Sequence, residues 1–375
     1  MAELPTNKSD YFRPLTGVRA IAAFMVFFHH FNPFPEKYFG IRAFDFVQEF
    51  HIGVSLFFVL SGFLIAYRYS EMSYFSFRNY MVNRIARIYP MYFILTSLTF
   101  ILFGILQSQY SLQDLYRYLC NISFLKGFFE EFKFTGIAQG WSLTVEETFY
   151  ILAPLIFLLL KRSKIYLLGI PVVLMSFGIG LVLIFSRINF HGFFISNEFM
   201  FNYTFFGRCF EFFIGISLAI IFKHKLFKAR FRYFTYAGIG GIILSIFLIT
   251  LFKGNFDTGI RHPMGKVVNS FILPVFGVSM FYYGLLTENT LISRILGSGL
   301  FVLLGKSSYI FYLIHLGVFS LLLHKITNNY ILIFLALNII SILLFKFIEE
   351  PLNLYLKKKW IRKPLPAEGI PLNHK

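Results

Sequence analysis

Cysteine, tryptophan and charge are scarce in this chain: two Cys, two Trp and 14% charged residues in 375. Cys120 and Cys209 form no CxxC pair, and the nine histidines include no HxxxH or HExxH, so a dedicated metal site is not expected. A disulfide between the two cysteines stays open, because both fall on the side assigned below to the outside. Acidic residues number 18 against 35 basic ones, a net charge of +17 that would suit nucleic acid if it lay on one soluble face. It does not: the basic residues sit in short stretches between apolar runs, so no nucleic-acid partner is expected. Also missing are a 20 to 50-residue repeat and a Pro/Ser-rich linker. No small-residue cleavage site follows the first apolar run, which reads as a retained span.

What is abundant is apolar surface, 57% of residues with a mean hydropathy of +0.67. Such a composition marks an all-α integral membrane protein. A spanning helix needs about 20 apolar residues. Ten runs qualify, near 15–33, 50–67, 89–106, 142–160, 165–185, 207–222, 234–252, 268–286, 300–323 and 330–347. Arg68, Arg78, Arg84 and Arg87 fall in one connection; Lys161, Arg162 and Lys164 in another; and Lys223, Lys225, Lys228, Arg230 and Arg232 in a third. Lys357, Lys358, Lys359, Arg362 and Lys363 crowd the tail. These alternate with less basic loops, so the positive-inside rule places both termini in the cytoplasm. Residues 1–14 and 351–375 read as cytoplasmic tails around one membrane domain, 15–350. The 34-residue connection 107–140 holds an amphipathic piece, Leu112 to Leu125, suited to an interfacial or re-entrant element. The 53 phenylalanines read as lipid-facing and packing surface.

Within the spans each ionisable residue is costly and marks a functional-site candidate. In the first, Leu15 to Asn32, Arg19 and His30 are eleven residues apart. That spacing puts them within about 20° on one helix face and roughly 16 Å apart along the axis. His29 points about 100° away. The bland alternative is a snorkelling Arg19 and a packing histidine. Glu146 and Glu147 lie below the outer surface at the depth of His30, His315 lies at or beyond mid-depth, and Arg208 stands three residues before Glu211, an ion-pair spacing. Arg84 and Arg87 gather with Arg19 at the cytoplasmic side, a set suited to phosphate, although a plain positive-inside boundary would look the same. Glu349 is placed to pair with one of them, and Pro351 is expected to end the last helix.

Seven stretches, in order, closely resemble the acyltransferase family 3 membrane proteins: Arg19-x10-His30, Gly53-Val-Ser-Leu-Phe-Phe-Val-Leu-Ser61-Gly-Phe-Leu64, Arg84-Ile-Ala-Arg-Ile-Tyr-Pro90, Trp141-Ser-Leu-Thr-Val-Glu-Glu-Thr-Phe-Tyr150, Arg208-x-x-Glu211-Phe-Phe-Ile-Gly215, Ser308-Tyr-Ile-Phe-Tyr-Leu-Ile-His315 and Phe347-Ile-Glu-Glu-Pro351. These are bacterial transmembrane O-acyltransferases that acylate cell-surface glycans. The resemblance implies a ten-helix core in the cytoplasmic membrane, a cytoplasmic acyl-CoA co-substrate with no permanently bound cofactor, and a glycan or lipid-linked glycan acceptor on the outer face. It also implies that Arg19 and His30 are the pair most needed for activity. Three departures stand out: Ser55 where many relatives carry Asp, Glu350 where an Arg often follows, and no hydrolase-like domain after the last span, as in stand-alone members.

On this reading Arg84 and Arg87 hold the donor phosphates, Arg19 lines the passage, and His30 is the general base on the acceptor hydroxyl. Glu146 or Glu147 would orient His30. Trp141, Tyr309 and His315 would meet the acceptor or the oxyanion, with Ser61, Arg208 and Glu211 completing the pocket. Direct attack and an acyl-histidine relay both fit. The rival readings are a transporter or flippase for a lipid-linked glycan, and a membrane acyltransferase acting on lipid or protein.

Overall fold

A computed structural model describes residues 12–35, 41–72, 75–107, 111–188, 190–226 and 233–361. The basic residues Lys228, Arg230, Arg232, Arg362 and Lys363, and residues 1–11 of the N-terminal tail, lie outside these. Among the described residues the chain is helical without a strand; a lone bridge joins Phe129 and Phe193.

The helices follow the apolar runs: α1 (Arg13–His30), α2 (Ile41–Gln48), α3 (Gly53–Tyr69), α4 (Phe77–Gln107), α5 (Leu112–Ile122), α6 (Trp141–Arg162), α7 (Tyr166–Phe185), α8 (Asn197–Tyr203), α9 (Phe205–Lys223), α10 (Phe234–Phe252), α11 (Pro263–Thr287), α12 (Leu291–Leu296), α13 (Gly299–Ile314), α14 (Val318–His324) and α15 (Tyr330–Trp360). Eight are long and apolar enough to cross a membrane, or nine if the bent pair α13 and α14 forms one span. The first of the ten sequence runs, α1, is not among them, because its 18 residues include Arg13, Arg19, His29 and His30. The helix packs along α13 and α3.

The centre of the bundle is α3 against α9. A Cβ on Gly62 would strike the Phe212 carbonyl, and one on Gly215 the Val59 carbonyl, so these glycines let two backbones touch. The glycine closing the Arg208 to Gly215 motif thus fixes a helix crossing. Around this pair α7 and α10 turn rows of exposed Leu, Ile and Val outward, as lipid-facing helices do.

Two features differ from the sequence reading. The run 300–323 is not a straight span: α13 and α14 meet at 82°. Gly317, at φ +100°, makes a turn that an L side chain would strain. The carbonyls left at the end of α13 are satisfied from outside, since Gln139 Nε2 donates to Tyr312 O at 2.5 Å and to Leu313 O at 2.8 Å. Pro351 does not end the last helix. A π-helical stretch, Phe345–Glu349, widens the turn just before it, and the helix runs on to Trp360.

Residues 111–140 form a cap on one end of the bundle. Helix α5 begins with a Ser111–Asp114 capping box and leaves Leu112, Leu115 and Leu119 exposed on one face, an interfacial pattern. Beneath it Lys126 is fully buried, its Nζ donating to Thr135 O at 2.7 Å and Ile137 O at 2.5 Å. Burial without a carboxylate pushes this amine down to about 7. At the opposite end Glu71 takes Lys223 at 2.7 Å and His224 at 2.6 Å, which hold its carboxyl below the ordinary range. Cys120 and Cys209 are both free thiols.

Candidate functional site: a histidine cavity and an arginine cavity

Helix α1 contributes to two cavities, His29 and His30 to one and Arg19 to the other. The larger, about 700 Å³, is lined by His29 and His30 from α1, His51 from the turn before α3, Trp141 from α6, Arg208 from α9 and Tyr312 from α13. Ligand pockets usually run about 300 to 1,000 Å³, so it can hold a sugar-sized molecule. His30 is exposed to this space, with its ring stacked on that of buried His315 at 5.5 Å and 30°. His315 ends α13 at the bend, where its Nδ1–H donates to Tyr312 O at 2.7 Å.

Arg208 is anchored in the wall. Its Nε and Nη2 donate to the two oxygens of Glu211 at 2.7 Å each, Nη2 also to Ser55 Oγ at 3.1 Å, and Nη1 to Asn202 O at 3.3 Å. Ser55 therefore contributes a hydroxyl acceptor where an aspartate would add a second charge. Trp141 meets Tyr203 edge to face at 5.0 Å, and Lys133 lies over the rings of Phe134, Phe199 and Tyr203 at 4.8, 5.7 and 5.2 Å. The mouth thus combines aromatic faces with polar groups, Asn202, Glu198 and Asp257 among them.

The smaller cavity, about 20 Å³, gathers Arg19, Arg84 and Arg87 with Ser61 and Tyr150. The three arginines expected to form one set do converge. Arg84 sits over the Tyr69 and Tyr150 rings at 6.0 and 5.8 Å. The buried Nε atoms of Arg19 and Arg84 have no hydrogen-bond partner among the described residues.

Several assignments move. Glu146 does not orient His30. It accepts short hydrogen bonds from Ser61 and Tyr150, and so belongs to the arginine cavity. Glu147 is buried with Oε1 unpartnered, and Glu146 and Arg84 are its charged neighbours. The sequence placed these carboxylates at the depth of His30, whereas the partners of Glu146, Ser61 and Tyr150, line the cavity of Arg19. Ser61 follows Glu146 out of the acceptor pocket. Tyr309 is not free to meet a substrate there, since its hydroxyl donates to Ile88 O at 2.8 Å. Glu349 faces Arg87 without forming an ion pair. Residues the sequence reading passed over are Gln139, Tyr203, Lys133, Glu49 and His51. Of these His51 carried a signal, being an imidazole at the start of the apolar run 50–67.

Residues 14–348 match the family model described as an acyltransferase domain. The chain belongs to the acyltransferase 3 family. Proteins of Staphylococcus aureus strains COL and MRSA252, each named putative O-acetyltransferase, are 25% identical over 391 residues, covering 97% of this chain and 59% of theirs. The chain therefore spans about three fifths of the length of these relatives. A putative acetyltransferase of Acidianus two-tailed virus is 28% identical over 178 residues, covering 47% of this chain and 49% of its own. No solved structure matches the chain.

Proposed function

We propose that the protein is an O-acyltransferase of the bacterial cytoplasmic membrane that moves an acyl group, acetyl foremost, from cytoplasmic acyl-CoA to a hydroxyl of a cell-surface glycan or its lipid-linked precursor. The observation that carries the reading is His30: exposed on a sugar-sized cavity, it shares a helix face with Arg19, which lines a separate arginine cavity. On this reading the guanidinium groups of Arg84 and Arg87 take donor phosphates. The pantetheine arm runs past Arg19 toward His30. Rise per residue puts that distance at roughly 16 Å, the span the arm has to bridge.

The acceptor hydroxyl lies in the histidine cavity, its ring against Trp141 and Tyr203. His30 takes the hydroxyl proton as oxygen attacks the thioester carbonyl. Arg208, fixed by Glu211, Ser55 and Asn202, is the cation in that wall to stabilise developing negative charge.

The test is transfer of label from acetyl-CoA in membranes carrying His30→Ala or Arg19→Ala. Both variants should lose transfer, and undiminished labelling with His30→Ala overturns the assignment. Mass spectrometry of surface polysaccharide from a deletion strain then names the acceptor. One observation favours a second reading: the 82° break between α13 and α14 beside a polar cavity is a device transporters use. Purified protein separates the two, because a transporter leaves the thioester intact.

A further inference from the structure

Beside His30 lies a line of titratable groups, His29 and His51 half-buried on the cavity wall and Glu49 fully buried, that acyl transfer as described leaves unused. His29 meets His30 edge to face at 4.7 Å, and the ring of His29 stacks on that of His51 at 5.5 Å and 28°. His51 Nε2 lies 3.7 Å from Glu49 Oε2. Glu49 is fully buried, and its other oxygen, Oε1, accepts the Gly259 N–H at 2.6 Å.

Backbone carbonyls fix the tautomers along this line. His29 Nδ1–H donates to Gln48 O at 2.5 Å, and His51 Nδ1–H to Glu49 O at 2.8 Å. An imidazole held through Nδ1–H presents Nε2 as a lone pair. Glu49 Oε2 and His51 Nε2 are thus two acceptors facing each other, and both are buried with no hydrogen-bond partner among the described residues. Buried polar atoms are nearly always satisfied. One added proton between this nitrogen and this oxygen would satisfy both. The charged groups nearby are already neutralised, Lys253 by Asp45 and Arg208 by Glu211.

We propose that the His51–Glu49 pair is the proton reservoir of acyl transfer, exchanging with His30 across the cavity that both histidines line. The inference rests on the reading of His30 as the base. The acceptor oxygen attacks the thioester carbon and its proton goes to His30, then across the shared cavity to His51 and Glu49. As the tetrahedral intermediate collapses, the C–S bond breaks with its electron pair on sulfur, and the proton returns through His30 to the thiolate. One C–O bond forms, one C–S bond breaks, and the hydroxyl proton ends on the thiol. Glu49, buried and outside the cavity lining, touches no substrate and acts with His51 through His30, as a positioning residue.

Glu49→Gln keeps an oxygen for the Gly259 N–H and removes the proton acceptor; His51→Asn keeps a donor for the Glu49 carbonyl and removes Nε2. Full-length protein in membranes is assayed with acetyl-CoA and the native surface glycan fraction, and folding is checked by thermal melting. Expected is a fall in kcat of about ten- to a hundredfold, the low end of what positioned proton-transfer groups supply, with the acetyl-CoA KM unchanged and an altered solvent-deuterium isotope effect on kcat. If Glu49→Gln does not fold, His51→Asn carries the same expectation. Unchanged kcat, or a fall in kcat with the isotope effect unmoved, overturns the reservoir. An inactive His30→Ala beside a fully active Glu49→Gln leaves the acyltransferase reading standing, whereas a fully active His30→Ala removes both.

Discussion

Arg208 and Glu211 form a two-bond ion pair, 2.7 Å at each contact, with the carboxylate fully buried on the wall of the cavity that His30 faces. Removing one partner of such a pair leaves an uncompensated buried charge, at a cost of about 3–5 kcal/mol. Glu211→Ala should therefore lower the melting temperature in detergent far more than the double replacement Arg208→Met/Glu211→Met, which leaves no charge behind. Equal melting of the two would deny the pair its structural part. Transfer activity should be lost in the double variant, which lacks the Arg208 guanidinium, and lowered in Glu211→Ala, where that guanidinium stays but Glu211 no longer holds it.

Arg84 and Arg87 make a different demand. A charged hydrogen bond is worth about 1.5–3 kcal/mol, so Arg84→Ala/Arg87→Ala should raise the KM for acyl-CoA at least tenfold while kcat falls less. Steady-state kinetics against donor concentration decide it. A kcat loss at constant KM would give the pair a structural role.

Gly215 is the point where α9 touches α3. A Cβ there meets the Val59 carbonyl, which belongs to a helix backbone and cannot rotate away. Gly215→Val should cost upward of about 1–3 kcal/mol, the usual range for overpacking, and its signature is loss of monodisperse protein on size exclusion. A surface glycine such as Gly240, with open space around its Cβ position, is the control that should tolerate Ala.

Lys126 gives the cap a pH dependence. Its amine falls from the ordinary 10.5 to about 7 on burial. Between those values the unfolded chain holds a proton that the folded chain lacks, so stability rises with pH across the window. Below about 7 the folded amine is charged and the full desolvation penalty remains. Hydrogen exchange in residues 126–137 should therefore slow, after correction for its intrinsic rate, as pH rises from 7 toward 10. Lys126→Met should flatten that profile.

Much of this was written in local spacing. Apolar runs of sufficient length announce spanning helices, because backbone groups in lipid must bond within their own segment. Three residues between Arg208 and Glu211 decide what one helix face presents, and the structure pairs them as the periodicity requires, while Arg19 and His30 line separate cavities. The departures share a cause. Glu146 turns to Ser61, 85 positions away, and Gln139 caps the broken α13 at Tyr312 and Leu313, 173 and 174 positions on. Rotation about a helix axis and the partner across a helix crossing depend on packing between segments, which no spacing within a segment encodes.

The sequence by itself determined the helical membrane class, the family, and the face of α1 that carries Arg19 and His30, because hydropathy and a 3.6-residue period are properties of single segments. Only the tertiary structure decided that the α6 carboxylates join the arginines and that a bend builds the His315 contact. It alone set His51 and Glu49 in line behind His29, since each of those relationships is a distance between atoms on different helices.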